Sequence, residues 1–288
     1  GGEGDTIHDT EKLRDELISV AYGIWDFVKN SGEYNADNWE LEFVGFLPGK
    51  RESRRYVGDY IMNQNDVRDG GHFDDIAAYG GWTMDDHNPA GINTKDKPNI
   101  FHPAPSPFGI PYRCLYSVNI ENLYFAGRNI SVTHTAMSAS RVMATCALLG
   151  QAVGTASAIA IKNNATPREI SEKYICELQQ MLMDDDCWLP YCKTKISELT
   201  KSATITSTGE DAELNGIERH YGDDKNCWSG KIGDTVTFSF ESEKAINEVR
   251  FVFNSDLNRE TTGAGKYIPE KMNTCNVHKN APALNVPK

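Results

Sequence analysis

Near the start of the chain, apolar residues recur every three to four positions, which predicts an amphipathic helix over residues 11–29. The apolar positions are Leu13, Leu17, Ile18, Ala21, Ile24, Trp25 and Val28. The polar run at residues 30–32 marks the end of this helix. Short strands are predicted next, over residues 42–47 and 54–62, with Gly and Pro on either side.

Residues 69–111 are dense in Gly, Pro, Asp and Asn and show little periodicity, so they are predicted to form a long loop. A loop of this length is usually either functional or disordered. Its aromatic and histidine side chains favour a function, and they are Tyr79, Trp82, His87 and Phe101.

A strand, a glycine turn and a helix follow one another further along the chain. The apolar residues 123–126 lead through a Gly-Arg turn and a polar loop into a predicted helix over residues 136–163. A strand that ends in glycine lets the backbone approach a ligand closely, and a helix N-terminus offers unpaired N–H groups. This segment therefore predicts a site for a phosphate-bearing cofactor. Pro167 begins another predicted helix, which ends at residue 183.

Beyond residue 201 the pattern changes to period-two alternation. Residues 203–207, 235–240 and 248–254 alternate apolar and polar positions between Gly, Asp and Asn turns. This pattern predicts the start of a small β-sandwich. The overall expectation is an α/β or α+β domain over residues 1–200, followed by a partial all-β domain over residues 201–288.

The length, charge and cysteine content of the chain disfavour some classes of partner and site. A chain of 288 residues can bury the cores of two domains. The formal charge of -12 argues against nucleic acid or an anionic membrane as a partner, because both require a basic face. Seven cysteines without C-x-x-C spacing indicate neither a disulfide framework nor a zinc site, and no metal is expected. The compartment in which the protein works stays open at this stage.

Residues 142–161 carry no charge and include the Gly150-x-x-x-Gly154 spacing seen in membrane helices. The run is mostly Ala, Gly, Thr, Ser and Cys, Gln151 interrupts it, and no aromatic belt flanks it. We therefore expect a helix whose small residues let it lie close to a sheet or a cofactor, and we expect no membrane span.

Four motifs, in one order, resemble a known family. They are GFLPGKRESRRYVGDYIMNQND (45–66), AYGGWTMDDH (78–87), IPYRCLYS (110–117) and NLYFAGRNISVTHTAMSASRVMATCALLGQAVG (122–154). Together these segments resemble the bacterial FAD-dependent oxidoreductases found beside polysaccharide-degrading enzymes, within the glutathione-reductase-like flavoproteins that bind two dinucleotides. The C-terminal alternation, with Trp228-Ser229-Gly230, resembles discoidin or galactose-binding-like domains.

The resemblance implies a Rossmann-like FAD-binding fold that opens with a G-x-G-x-x-G turn, which this sequence lacks. We therefore expect the chain to be the C-terminal portion of a longer polypeptide, whose N-terminal segment would supply the rest of the FAD site. The alternative is a chain that borrows this segment from a partner.

By the same resemblance, the turn Gly127-Arg128-Asn129 would help to hold the phosphates of FAD, with the Gly127 backbone and the Arg128 charge in contact. The start of the long helix would face the pyrimidine edge of the flavin and stabilise negative charge on the reduced ring. The residues implied there are Arg141, Val142, Met143 and Ala144.

The basic run at residues 50–55 leads into a predicted strand, where alternate side chains point to opposite faces. One of Arg51, Arg54 and Arg55 is a candidate for contact with flavin or an anionic substrate group. A solvated face is the alternative reading.

His87 and His134 are candidates for moving a proton at neutral pH, although a lone histidine more often has a structural role. Tyr112 and Arg113 are candidates for contact with substrate or with the flavin ring.

Three functions remain open. The leading one is an FAD-dependent oxidoreductase that transfers hydride from a small organic, sugar-like substrate to flavin N5. The second is a carbohydrate-binding protein in which the β-sandwich binds the ligand. The third is a non-redox enzyme that requires flavin.

Overall fold

A computed structural model describes residues 3–209, 214–219 and 228–252, which fall into two units. Unit 1 comprises residues 3–55 and 85–101. Unit 2 comprises residues 56–84 and the described residues from 102 onward.

Unit 1 contains the helix α1 (Thr10–Asn30), which confirms the amphipathic pattern. Near its end, the Lys29 ammonium donates hydrogen bonds to the carbonyls of Ala36, Asp37 and Trp39 at 3.0, 2.8 and 2.8 Å, which anchors the chain that follows. The strand prediction over residues 42–47 is wrong. An isolated strand cannot satisfy its backbone polar groups, and within the described chain no other strand pairs with these residues.

The loop prediction over residues 69–111 is also wrong, since this stretch contains four strands. They are β1 (Ile76–Gly80), β2 (Met84–His87), β3 (Asn99–His102) and β4 (Phe108–Pro111). β2 pairs with β3, and β1 pairs antiparallel with β4. The short apolar run of β1 is buried at every position, so it lacks the alternation that marks a half-exposed strand.

The core of unit 2 lies between the β1–β4 pair and its helices. The register of the pair runs from Ile76 opposite Pro111 to Gly80 opposite Phe108. The Phe108 ring covers Gly80 so closely that a Cβ there would lie 2.3 Å from a ring carbon. The short helix α2 (Gln64–Arg68) packs against β4.

The single helix predicted over residues 136–163 is two helices, α3 (His134–Ser140) and α4 (Met143–Asn163). The Thr133 side chain caps α3 by accepting the Ala136 N–H. The chain then leaves the helical conformation, because Val142 is extended with ψ 146° and serves as the N-cap of α4. At its other end, Asn164 adopts the left-handed conformation that commonly closes a helix.

α4 packs on β1 and on the long helical stretch that follows it in the chain. That stretch runs through α5 (Pro167–Glu169), a π-helical turn (Ile170–Tyr174) and α6 (Ile175–Asp184), which confirms the helix predicted over residues 167–183. Thr166 and Glu169 form a capping box at its start.

α4 is, among the described residues, the one helix long and apolar enough to cross a membrane by length and composition. One face of it is buried on β1 and α6, as in core helices, which pass the same test, so this feature is weak evidence for a membrane span. The small residues Ala152 and Ala156 are buried in α4, which packs on β1, as the prediction of close packing on a sheet requires. Gly150 and Gly154 do not contribute to that packing, since a Cβ at either position would meet nothing within 4 Å.

Two of the three strands predicted beyond residue 201 pair with each other. After α7 (Glu198–Lys201), β5 (Thr204–Ser207) lies antiparallel to β6 (Val236–Ser239). The third prediction, residues 248–254, forms no strand as far as residue 252, and its end lies outside the described residues. The structure therefore supports a strand pair here and does not show a β-sandwich.

Candidate functional site

The predicted Gly-Arg turn lies on the surface of unit 2. We call residues 125–129 the glycine turn. Gly127 has φ +95°, a conformation that other residues rarely adopt. The Phe125 N–H donates to the Leu115 carbonyl at 2.9 Å, and the Asn129 carbonyl accepts the Tyr56 N–H at 2.9 Å. These bonds fix the backbone on both sides of Gly127. At this position a residue with a side chain would be strained.

An extended segment, residues 56–62, runs beside the chain that leaves this turn, and we call it the strap. The Met62 N–H donates to Ser131 O at 3.1 Å, and the Thr133 N–H donates to Met62 O at 2.8 Å. Met62 and Val132 form a parallel bridge. The strand predicted over residues 54–62 is therefore wrong, since this segment is irregular, bends at Asp59 and pairs in a ladder only at Met62.

The start of α4 is open to solvent. Its N-cap, Val142, offers no side-chain hydrogen bond, and the Met143 side chain is 89% exposed. Ala144 is also exposed. The first intrahelical bond joins the Cys146 N–H to Val142 O at 2.9 Å, so the preceding N–H groups have no partner within the helix. The helix start is not covered by apolar side chains.

The charge of Arg128 acts on the start of α4. Cys146 lies in the first turn of this helix; burial raises the pKa of its thiol, and the positive charge of Arg128 acts against that shift. The exposed Arg128 makes no hydrogen bond or ion pair with the described residues of the chain. Of the predicted residues 127–129, Arg128 is thus linked to the start of α4 through its charge.

Tyr112 lies in the core of unit 2. It is fully buried, and its hydroxyl donates to Pro167 O at 2.9 Å and contacts the Tyr124 hydroxyl at 3.1 Å. Burial raises the pKa of this phenol well above its ordinary value. A neutral hydroxyl with two internal partners favours a structural role.

Arg113 is held by an acid and an aromatic ring. Its Nε and Nη2 atoms donate to the Asp75 carboxylate at 2.9 and 3.1 Å, which raises the pKa of the guanidinium. Its Cζ atom lies 5.3 Å from the centre of the Tyr60 ring. These contacts also favour a structural role.

Two further candidates flank α3. His134 is its first residue and is exposed, so its ring can be reached from solvent. Arg141 follows the helix and donates its N–H to Met137 O at 3.0 Å. Arg141 thus closes α3 and directly precedes Val142, the N-cap of α4.

The remaining candidates belong to unit 1. Arg51 and Arg54 are exposed, whereas Arg55 pairs with Glu52 and burial lowers the pKa of its guanidinium. His87 ends β2, with Nε2 3.4 Å from Asp85 Oδ2. This separation permits an ion pair but lacks hydrogen-bond geometry, since Nε2 is buried without a hydrogen-bond partner in the described chain.

Sequence reasoning missed two residues that contact this region. Tyr56 binds the glycine turn, and Cys146 is the thiol on which the charge of Arg128 acts. Both lie within the motifs at residues 45–66 and 122–154, but neither has a side chain whose chemistry marks it as a cofactor ligand.

Comparison with known families gives one match. The model of a family described as FAD dependent oxidoreductase matches residues 4–182, a range that contains the strap, the glycine turn, α3 and α4. No curated protein matches the chain, and no solved structure does.

Proposed function

The chain belongs to the family of FAD-dependent oxidoreductases, and we propose that the glycine turn and the first turn of α4 hold its FAD. The family makes the protein an oxidoreductase with FAD as its cofactor and fits an α/β flavoprotein fold. The observation that carries the location is the open start of α4, together with the charge that Arg128 exerts on Cys146 in its first turn; among the described residues Arg128 makes no hydrogen bond or ion pair.

The chemistry of these groups suits a dinucleotide. The aligned peptide dipoles of α4 leave about half a positive charge at its N-terminus, where Met143 and Ala144 present N–H groups. Arg128 adds a full charge and several donors, which match phosphate oxygens. The left-handed Gly127 lets the backbone approach the ligand without a Cβ in between.

FAD, when bound, supplies the two-electron chemistry of the reaction. We propose that the reaction oxidises a C–H bond of a small organic substrate, of the sugar or polyol class, by hydride transfer to flavin N5. Positive potential at the start of α4 would favour the negative charge of a reduced flavin. His134, exposed at the start of α3, is the proposed proton acceptor for a substrate hydroxyl in unit 2.

The location is tested by titrating the purified chain with FAD and following flavin fluorescence. We expect Arg128→Ala to weaken FAD binding about tenfold to a hundredfold, the range for losing a hydrogen bond to a charged group. Lys162→Ala is the matched control, because it removes an exposed cation at the opposite end of α4. Equal affinities in wild type and Arg128→Ala would remove this site from consideration.

The reaction is tested by anaerobic addition of sugars and polyols to the FAD-loaded protein. Loss of the flavin absorption bands with one of these compounds is the expected result. Bound flavin that no substrate bleaches would instead favour a non-redox role, and sugar affinity without flavin would favour a binding protein.

A further inference from the structure

We propose that Tyr56 is a positioning residue that holds the glycine turn in its cofactor-binding conformation. The inference rests on the proposed function for what the turn binds, but the contacts that fix the turn are independent of it. Tyr56 is the first residue of the strap, and it is not among the candidate site residues named from the sequence.

Tyr56 contacts both ends of the glycine turn. Its ring stacks on Phe125 with the ring centres 5.0 Å apart and the planes inclined by 21°. Its backbone N–H donates to Asn129 O at 2.9 Å. Tyr56 thus contacts both Phe125 and Asn129, and the left-handed Gly127 lies between these two residues.

The turn itself supplies few restraints. Glycine has the largest conformational freedom to lose on folding, and the Arg128 side chain has no hydrogen bond or ion pair within the described chain. Without the contacts from Tyr56, the backbone of this turn would sample many arrangements. Binding a dinucleotide would then require ordering them, which lowers affinity.

Tyr56 can hold the glycine turn in place because hydrogen bonds fix the strap to other parts of unit 2. The Asp59 carboxylate accepts hydrogen bonds from Arg168 Nε at 2.7 Å and from the Tyr116 hydroxyl at 2.8 Å. The Val57 carbonyl accepts the Val118 N–H at 3.0 Å. These bonds tie the strap to the helical stretch that starts at Pro167 and to the chain before the turn.

The strap also passes through a narrow gap at Gly58. A Cβ at this position would lie 2.5 Å from Arg113 O and 2.9 Å from Tyr116 O, which are backbone atoms that cannot rotate away. Two residues after Tyr56, the strap therefore packs directly against the backbone of residues 113 and 116, and a side chain at position 58 would push it away.

The test compares the wild-type chain with Tyr56→Leu and Tyr56→Phe by hydrogen–deuterium exchange without FAD. The amides of Phe125 and Ser131 are informative, because they donate to Leu115 O at 2.9 Å and Cys114 O at 3.1 Å. We expect Tyr56→Leu to speed exchange around the turn by about three- to tenfold, the range for losing an aromatic pair. Tyr56→Phe keeps the ring and should exchange like wild type.

Peptides from residues 149–160 of α4 serve as the internal control. If Tyr56→Leu leaves the turn unchanged, or speeds exchange equally along α4, Tyr56 does not position the turn and the inference is wrong.

FAD titration of the same variants separates this inference from the proposed function. Tyr56→Leu should weaken FAD binding, Tyr56→Phe should restore it, and Arg128→Ala should weaken it without changing exchange at the turn. A looser turn with unchanged FAD affinity would overturn the positioning role. Unchanged affinity in Arg128→Ala would overturn the proposed site, while exchange would still decide whether Tyr56 fixes the turn.

Discussion

The helices α1 and α4 have the same length, 21 residues, but very different surroundings. α4 buries side chains along one face against β1 and α6, whereas no residue of α1 is buried. In α1 the apolar residues Leu17, Ile24 and Phe27 are exposed. The sequence periodicity is stronger in α1, where polar and apolar positions separate cleanly. Periodicity therefore predicts that a helix forms, and packing decides what it contributes to stability.

A matched pair of substitutions measures this difference. Leu149 in α4 is fully buried, whereas Leu17 in α1 is 48% exposed. We expect Leu149→Ala to lower the free energy of unfolding by about 2–5 kcal/mol, because it removes buried area and leaves a cavity. Leu17→Ala should cost less than about 1 kcal/mol, since half of the side chain is already in water. Urea unfolding followed by circular dichroism gives both values.

Equal losses at the two positions would contradict the comparison. Such a result would mean that α1 is buried in solution by a contact that the described structure does not contain.

A second pair tests whether Tyr112 is structural. Its hydroxyl bonds Pro167 O in the core, whereas the ring of Tyr22 in α1 is 55% exposed. We expect Tyr112→Phe to cost about 1–3 kcal/mol in unfolding free energy, because the Pro167 carbonyl loses a buried donor. Tyr22→Phe should leave the stability within about 0.5 kcal/mol of wild type.

Measuring substrate turnover by the Tyr112→Phe variant distinguishes a structural role of Tyr112 from a catalytic one. If Tyr112→Phe leaves stability unchanged and abolishes substrate turnover, the phenol acts on the substrate and its assignment to the core is wrong.

Local patterns explain what was predicted correctly from the sequence. Helical spacing located α1 and the stretch from Pro167 to Asp184, and alternation located β5 and β6. The Gly127-Arg128 turn was identified from its glycine, but the strand predicted before it, over residues 123–126, is wrong, because only an isolated bridge between Tyr116 and Tyr124 forms there. For the helices and the β5–β6 pair, the residues that carry the sequence pattern are the residues that form the element.

The failures arise where distant contacts decide the conformation. Residues 42–47 have a strand pattern but no paired strand in the described chain, and the fully buried β1 has no alternation to detect. The break at Val142 interrupts a continuous run of helix formers. The anchor of the strap joins Asp59 to Arg168 across 109 positions of sequence. Only the folded chain brings those residues together.

The smallest expected effect concerns two carboxylates, one in each unit. The hydrogen bond from Arg168 lowers the pKa of Asp59, and a hydrogen bond with His8 lowers the pKa of Asp5 to about 2. A lowered folded-state pKa adds stability above the ordinary value of 3.8, and this stability is lost as the pH falls through the folded-state value. Both carboxylates should therefore contribute to the loss of folding stability at low pH.

The two contributions should differ, because their partners differ. Asp5 and His8 lie three residues apart at the surface, so their bond restrains little of the fold. Asp59 and Arg168 connect the strap to a helix in the core of unit 2, and the Asp59 side chain is 21% exposed. We expect Asp59→Asn to reduce the fall of the thermal unfolding midpoint between pH 5 and pH 2.5. The change in this midpoint should be smaller than the change that Tyr112→Phe produces. Asp5→Asn should change that fall still less. A flatter loss of stability with acid in Asp5→Asn than in Asp59→Asn would contradict this expectation and would place the stronger charge coupling in unit 1.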